Sequence, residues 1–429
     1  MDQENNQPIQ EEAVVHRPTR SLKKQIIVPL SIFLFLLTMT AGIILYAKGY
    51  RFFLQQGEPR VSKTGLLRVT SLPPGAQVYV DGHLTTATDN TISLPPKKYT
   101  IKIAKDGYWD WQKDFEIKQE VVLNANALLF PKAPTLKSIS TFGINSIVVD
   151  PSGTKLALKI ASDSAKRNGI YVLDMTSRTF PVLAGQSNST QLADDTIDAF
   201  SQSSLTWSPD GKQLLASISG KLKQPTYYLL KTDGFNKAPE DTTATLQALT
   251  DTWELQKHDK EIAQLKSFKA NVQKFAAQNF HILAWSPDEE KILYQALQTS
   301  DMPVFLNPRL IGNNNLYERR DLEKGAVYVY NIKEDLNTRI VESAEGVCVM
   351  PSPECLRLFT WLPDSEHLIY LHDKKVDIVE NDGSNMTTIY AGPFLDHYAF
   401  PWADGSKIVI LTNLNSPDVS PTLYTIGLK

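Results

Sequence analysis

The apolar residues of this chain follow three different patterns along its length. Residues 26–47 are 22 consecutive positions without a charged side chain, which as a helix would span about 33 Å, enough to cross a bilayer. Residues 66–123 alternate apolar and polar positions in short runs, as half-buried strands do. From residue 135 onward, short apolar runs recur after a repeated turn. The sequence therefore predicts a mainly all-β protein with one N-terminal membrane helix.

The apolar stretch at residues 25–47 is interpreted as an uncleaved transmembrane anchor. The tail before it, residues 1–24, is polar and is expected to be disordered. A cleaved signal peptide is the alternative, but the stretch exceeds a usual signal core and no Ala-x-Ala-like site follows it. Four cations lie within the last eight residues of the tail, and long domains translocate largely regardless of charge. We therefore expect a single-pass plasma-membrane protein with a cytoplasmic N-terminus and with residues 48–429 outside the cytoplasm.

After a linker at residues 48–65, residues 66–123 are expected to form a small β-sandwich. Proline and glycine residues break this segment into at least four short alternating runs. The predicted strands are Leu67–Thr70, Gln77–Val80, Tyr99–Ile103 and Asp114–Ile117.

Three blocks in this segment resemble the PEGA domain. They are Ser71–Gly82, which contains the turn Pro-Pro-Gly-Ala, then Leu94–Pro96, then Lys105–Tyr108, and their order and spacing match the family. Two loops depart from the family pattern, because Thr85–Thr88 replaces the usual Gly-Thr-Pro and Lys97 stands where a Gly is common. The resemblance implies a β-sandwich of the kind found in envelope and surface proteins.

A turn motif that occurs five times organises residues 135–429. Proline fixes φ at the first corner, Asp can bond its own backbone, and Gly or Ser accepts the last position, so each copy predicts strand, turn, strand. The motif residues are Asp150 and Pro151; Trp207, Pro209, Asp210 and Gly211; Trp285, Pro287 and Asp288; Trp361, Pro363 and Asp364; and Trp402, Asp404 and Gly405. Turn formation is the expected role of the Asp residues, because each copy offers one or two carboxylates whereas calcium takes six to eight oxygens. The Trp residues are expected in the core.

Further strand patterns follow each turn, and four antiparallel strands per repeat predict the blades of a β-propeller. The turn resembles the WD40-like repeat of the TolB family, whose signature is Trp-Ser-Pro-Asp-Gly-Lys, and this implies a TolB-like propeller of five or six blades. The chain ends just after the third strand of the last repeat. Because an open blade would expose an edge, Ala127–Ser140 is predicted to supply the missing strand. Residues 124–134 are interpreted as a connector.

The spacing of the motif predicts insertions in two blades. Trp207 to Trp285 is 78 residues and Trp285 to Trp361 is 76, whereas Trp361 to Trp402 is 41. The first insertion, residues 244–278, is predicted to be helical, with a short helix at 244–257 and an amphipathic helix at 259–278. The second, residues 299–324, is rich in Pro and Asn and is predicted to be a loop. Such long excursions are uncommon without a function.

Charge and motif content exclude several functional classes. The chain has 429 residues, with 44 Lys or Arg and 47 Asp or Glu, which argues against nucleic-acid binding. It contains no Gly-x-Ser-x-Gly, His-Glu-x-x-His or phosphate-loop motif, so neither an enzyme nor a cofactor is predicted. His367 and His372 lie on opposite faces of a predicted strand and are expected to be exposed or capping rather than a metal pair. Cys348 and Cys355 could form a disulfide or remain thiols.

The candidate binding residues are Tyr108, Trp109 and Trp111. On a strand the two Trp side chains would share a face and could form a platform for a glycan or a partner protein, although packing in the core is the favoured alternative. The predicted function is binding or scaffolding in the cell envelope, with a wall, surface-layer or protein partner. An extracytoplasmic sensor or accessory subunit that recognises a peptide or sugar is the alternative, and an enzyme in the propeller funnel is a third.

Overall fold

The computed structural model describes residues 22–47, 50–55, 58–140, 142–162, 164–176, 189–219, 224–342, 358–395, 398–414, 416 and 420–429. Most of the N-terminal tail and both cysteines, Cys348 and Cys355, lie outside the described residues.

The N-terminal apolar stretch forms one helix, α1, at Leu22–Ala47, which begins three residues before the predicted start. Within it, Ile27–Tyr46 is long and apolar enough to cross a membrane, and its side chains are exposed rather than packed against the rest of the protein. A hairpin of β1 (Tyr50–Gln55) and β2 (Glu58–Lys63) follows in the predicted linker. Its register pairs Tyr50 with Lys63, so the chain returns toward the end of the helix.

A seven-stranded sandwich comes next. Its strands are β3 (Gly65–Leu72), β4 (Gln77–Val80), β5 (His83–Ala87), β6 (Asn90–Leu94), β7 (Lys98–Ala104), β8 (Trp111–Glu116) and β9 (Val122–Leu128). One sheet has the order β6-β3-β9 and the other β5-β4-β7-β8. The inward-facing residues of alternating runs fill one core between them, including Leu67, Val78, Ile101 and Phe115. The four predicted strands are confirmed.

The predicted domain end at residue 123 is wrong, because it cuts through β9. This strand pairs in parallel with β3, from Leu66 opposite Val122 to Leu72 opposite Leu128. Leu123, Ala125 and Ala127 on β9 are buried in the sandwich core. Residues 124–128 therefore belong to the sandwich rather than to a connector.

The described part of the propeller contains five four-stranded antiparallel sheets, which settles the blade count within these residues at five. Blade 1 is β11 (Ile144–Val149), β12 (Lys155–Ile160), β13 (Gly169–Asp174) and β14 (Ser189–Asp194); blade 2 is β15 (Ser204–Trp207), β16 (Gln213–Ile218), β17 (Thr226–Lys231) and β18 (Glu240–Asp241); blade 3 is β19 (Phe280–Trp285), β20 (Lys291–Ala296), β23 (Val327–Asn331) and β24 (Leu336–Val341), with β21 (Ser300–Asp301) and β22 (Asp321–Leu322) in its insertion; blade 4 is β25 (Phe359–Trp361), β26 (His367–His372), β27 (Lys375–Glu380) and β28 (Thr387–Ala391); blade 5 is β29 (Ala399–Pro401), β30 (Lys407–Thr412), β31 (Thr422–Gly427) and β10 (Leu136–Ser138).

The closing strand predicted within residues 127–140 is confirmed. β10 comes from the start of the propeller and pairs antiparallel with β31 at its end, with Leu136 opposite Ile426. Ile139 N–H donates to Leu423 O at 2.9 Å, and Gly427 N–H donates to Thr135 O at 2.9 Å. A continuous apolar cluster also joins blade 5 to blade 1. The ring is therefore closed by both backbone pairing and side-chain packing.

Replacing Lys137 with Pro tests this closure. Lys137 is the middle residue of β10 and lies opposite Thr425. Hydrogen-bonded pairs alternate along an antiparallel ladder, and the pairs two residues away on either side are bonded, so the Lys137 N–H donates to the Thr425 carbonyl. Proline removes that donor, so we expect a loss of about 1–3 kcal/mol in unfolding free energy. The measurement is urea unfolding of the full chain in detergent micelles. Lys137→Ala is the control, because the Lys137 side chain is exposed; equal midpoints for the two variants would contradict closure by β10.

The helical insertion is confirmed as helical, but the predicted position of its break is wrong. α2 runs from Leu246 to Leu265 and α3 from Ala270 to Asn279. Residues 246–279 contain no Pro or Gly, so nothing ends the helix near residue 258. The break follows Leu265, where Phe268 is buried and stacks on Trp285 of blade 3, with ring centroids 5.5 Å apart.

Candidate functional site: the interface of the sandwich and the propeller

The repeated turn residues lie at blade turns. Asp210 accepts the Ser208 hydroxyl at 2.7 Å and the Lys212 N–H at 3.1 Å, and these bonds lower the pKa of Asp210. Asp288 accepts Ser286 and Glu290 in the same way. The corresponding carboxylates of the other three turns, Asp150, Asp364 and Asp404, also accept backbone N–H groups of their own turns. Trp207, Trp361 and Trp402 are buried and Trp285 is half-buried.

The interpretation that Trp109 and Trp111 share one face is wrong, and the favoured alternative of core packing holds for Trp111 alone. Trp109 precedes the strand, is 44% exposed, and donates its backbone N–H to Phe130 O at 2.8 Å. Trp111 is the first residue of β8 and is 3% exposed. Tyr108 is half-buried against the sandwich core. Because the strand begins only at residue 111, the alternation that would align the two Trp side chains does not extend to Trp109.

Trp111 and Lys113 instead reach across to blade 4. The indole Nε1 of Trp111 donates to Glu380 Oε1. Lys113 Nζ lies 2.5 Å from Glu380 Oε2 and 2.6 Å from Asp382 Oδ2. Glu380 ends β27 and Asp382 lies in the turn before β28. The sandwich and the propeller are thus joined by a charge cluster, here called the Lys113 cluster, made of Lys113, Glu380 and Asp382.

The Lys113 cluster is almost completely removed from solvent. The side chains of Lys113, Glu380 and Asp382 are 13%, 10% and 15% exposed. Burial lowers the pKa of Lys113, but the two carboxylates outweigh burial and the net pKa is raised. Lys113 therefore remains charged at any physiological pH. One cation stands between two anions, so removal of the cation would leave two buried like charges.

Propeller side chains also cover the edge of the sandwich sheet. β8 is an edge strand, and its outward N–H groups need partners. Gln112 N–H donates to Asn385 Oδ1 at 2.9 Å, and Asp114 N–H donates to the Tyr317 hydroxyl at 3.0 Å. Asn314 Nδ2 donates to Asp114 O at 2.7 Å. Tyr317 and Asn314 belong to the insertion at residues 299–324, so this loop fixes the sandwich against the propeller.

His367 lies beside this interface and is 6% exposed, so of the two expected roles, exposed or capping, the exposed one is wrong. Its Nδ1 lies 2.8 Å from Asp364 Oδ2, and its ring meets Phe130 edge to face at 5.9 Å. Burial lowers the pKa of His367, but Asp364, together with the charges of Glu380 and Glu366, outweighs burial and the net pKa is raised. His372, at the other end of β26, lies 2.6 Å from Asp377 through Nε2. The two histidines therefore have separate carboxylate partners.

Sequence reasoning missed the residues that form the interface. One signal was present: Trp111, Lys113 and Phe115 occupy alternate positions of one strand, so Lys113 stands at a position with core periodicity. Its partners Glu380 and Asp382 carry no comparable signal, because turn formation already accounts for an Asp in a hairpin. In the described part of the chain, no group of three or more His, Cys, Asp or Glu residues could hold a metal ion.

Comparison with known proteins agrees with the architecture. The family model of the PEGA domain matches residues 64–132. This match confirms the predicted resemblance and includes all of β9. No curated protein sequence matches the chain.

Similar solved structures include TolB proteins. A structure described as TolB from Agrobacterium tumefaciens shares 14% identity over 66% of this chain and 78% of its own, with a TM-score of 0.21. TolB from Acinetobacter baumannii shares 14% identity over 83% of this chain and 64% of its own, with a TM-score of 0.22. An oligogalacturonate lyase in complex with manganese shares 12% identity over 77% and 74%, with a TM-score of 0.21. The propeller assignment rests on the five sheets and the closing strand.

Proposed function

We propose that this protein is a single-pass membrane scaffold of the cell envelope, in which the PEGA-like sandwich and the propeller act as one rigid binding unit outside the cytoplasm. The Lys113 cluster is the observation that carries the proposal. A buried ion cluster and three side-chain bonds to an edge strand hold the two domains in one arrangement. A fixed pair of domains presents a composite surface without the entropic cost of ordering them on binding.

The anchor and its orientation are part of the proposal. Residues Ile27–Tyr46 of α1 carry no charged side chain and are long and apolar enough to cross a membrane, and the PEGA resemblance points to envelope and surface proteins. We take the role to be binding rather than catalysis, because the sequence offers no nucleophile elbow, metal-binding helix or phosphate loop. The partner is a protein or a wall glycan, and exposed Trp109 on the sandwich is the candidate contact residue.

The test combines topology with binding. Protease added to intact spheroplasts should digest a C-terminal epitope tag on the full chain, and protection of the tag would contradict the orientation.

Detergent-solubilised full chain should then co-sediment with isolated wall material. Reduced binding by Trp109→Ala would identify the sandwich as the wall contact, whereas unchanged binding would assign it to another surface. Without co-sedimentation the glycan partner is excluded, and cross-linking for a protein partner follows.

A further inference from the structure

Four exposed apolar side chains lie near the start of β3 and β9. Leu66 is 39% exposed, Val122 50%, Leu310 46% and Ile311 85%. Leu66 and Val122 are register partners on parallel strands and both point away from the sandwich core. Gly312 brings the insertion loop to the same place, since a Cβ on it would lie 3.5 Å from Val122 O. These four residues are called the Leu66 patch below.

Folding of the sandwich does not require this apolar surface. Farther along the same two strands, the outer face becomes polar, with Arg68 opposite Asn124 and Thr70 bonded to Asn126. At the far end of this face Leu72 is 45% exposed, so the polar positions separate it from the Leu66 patch. Ile311 is the most exposed large apolar side chain in the described part of the chain. An exposed apolar group of this kind at one end indicates a contact surface.

The path of the chain places the Leu66 patch close to the end of α1. The helix ends at Ala47, and the hairpin that follows pairs Tyr50 with Lys63. Leu66 comes three residues after Lys63. Because three residues lead from Ala47 to Tyr50 and three from Lys63 to Leu66, the Cα separation of Ala47 and Leu66 cannot exceed about 30 Å. The hairpin thus keeps this end of the sandwich within about 30 Å of the end of α1.

The insertion loop cannot move away from the patch independently of the sandwich. Asn314 and Tyr317, a few residues after Ile311, are bonded to the backbone of Asp114. The exposed side chains Arg68 and Lys118 lie near the patch, where Lys118 O approaches Gly65, and the carboxylate of Glu120 is paired with Lys63 at 2.9 Å. Cations beside an apolar patch are suited to phosphate head groups.

We propose that the Leu66 patch is a second membrane contact, seated in the interfacial layer of the bilayer that α1 spans. Ile311 enters the boundary between head groups and acyl chains, and the nearby cations face lipid phosphates. The contact would orient the propeller relative to the membrane rather than leave it free on a tether. This inference rests on the proposed membrane anchor.

A single fluorescent probe at residue 311 tests the contact. The full chain with Cys348→Ser, Cys355→Ser and Ile311→Cys is labelled with NBD and reconstituted into vesicles of phosphatidylcholine and phosphatidylglycerol. Lipids with a shallow doxyl group should quench the probe at 311 roughly twofold more than a probe at Ile197→Cys, because the patch lies in the interfacial layer. Ile197 is 52% exposed in the segment between blades 1 and 2. Adding Leu310→Asp to the 311 protein should lower quenching to the Ile197 level.

The outcomes separate the contact from the anchor. The vesicles are first washed at alkaline pH, which releases peripheral proteins. A chain that is retained, with equal quenching at 311 and 197, overturns the membrane contact and leaves the anchor standing. A chain that is released overturns the anchor and with it the inference. Retention with stronger quenching at 311 that Leu310→Asp abolishes supports both.

Discussion

Lys113→Met is expected to open the interface between the sandwich and the propeller. The substitution keeps most of the side-chain length but leaves Glu380 and Asp382 as buried anions without a cation. Removing one partner of a buried ion pair costs about 3–5 kcal/mol, which corresponds to roughly a hundredfold to five-thousandfold faster exchange through local opening. The measurement is hydrogen exchange at the N–H groups of Gln112 and Asp114, which are bonded to propeller side chains.

Lys98→Met is the matched control. Lys98 lies on the neighbouring strand and pairs with Asp114 at 3.0 Å, but its side chain is 59% exposed. Exposed pairs contribute about 0–1 kcal/mol, so exchange at the two amides should change less than tenfold. A further variant with Lys113→Met, Glu380→Gln and Asp382→Asn should regain part of the protection, because no uncompensated charge remains. Similar exchange in Lys113→Met and Lys98→Met would show that the cluster does not hold the domains together.

Trp402→Ala is expected to destabilise the ring at the contact between its last and first blades. Trp402 is 2% exposed and belongs to a cluster with Val409 of blade 5 and Ile144 and Leu156 of blade 1. Lys407 Nζ also lies 3.9 Å from the centre of its ring. Truncating a buried Trp to Ala costs about 3–5 kcal/mol through lost burial and a residual cavity. Urea unfolding of the full chain in micelles measures the loss, with the β-sheet signal in far-ultraviolet circular dichroism as the readout.

Trp109→Ala is the control for this experiment, since it removes the same side chain from an exposed position. We expect a change within about 0.5 kcal/mol, as for most surface substitutions. Trp402→Phe should lie between the two because it retains an aromatic ring in the cavity. If Trp402→Ala unfolds at the same urea concentration as Trp109→Ala, the first and last blades do not depend on this packing.

Hydrophobic alternation, the turn motif and the strand missing from the last blade together predicted most of the fold. Alternation located the sandwich strands, and the Pro-Asp turns located the blade hairpins, because both signals are complete within a few residues. The role of β10 also followed from the sequence, since an unpaired blade edge demands a partner strand. The errors concern where elements end. β9 extends beyond the predicted end of the sandwich domain, and α2 continues past residue 258. Packing partners, not local sequence signals, determine where these two elements end.

The candidate site depended on tertiary structure. Trp109 and Trp111 are two residues apart, yet only the start of β8 decides that one is exposed and the other buried. Lys113 and Glu380 are 267 residues apart, and no periodicity relates one to the other. A helix or strand imposes a periodic pattern on neighbouring residues, which the sequence shows. A charge pair between domains depends on which surfaces meet in the folded protein, and no local pattern records that. The sequence by itself determined the helix, the sandwich and the propeller; only the tertiary structure decided that Lys113 and the insertion loop join them.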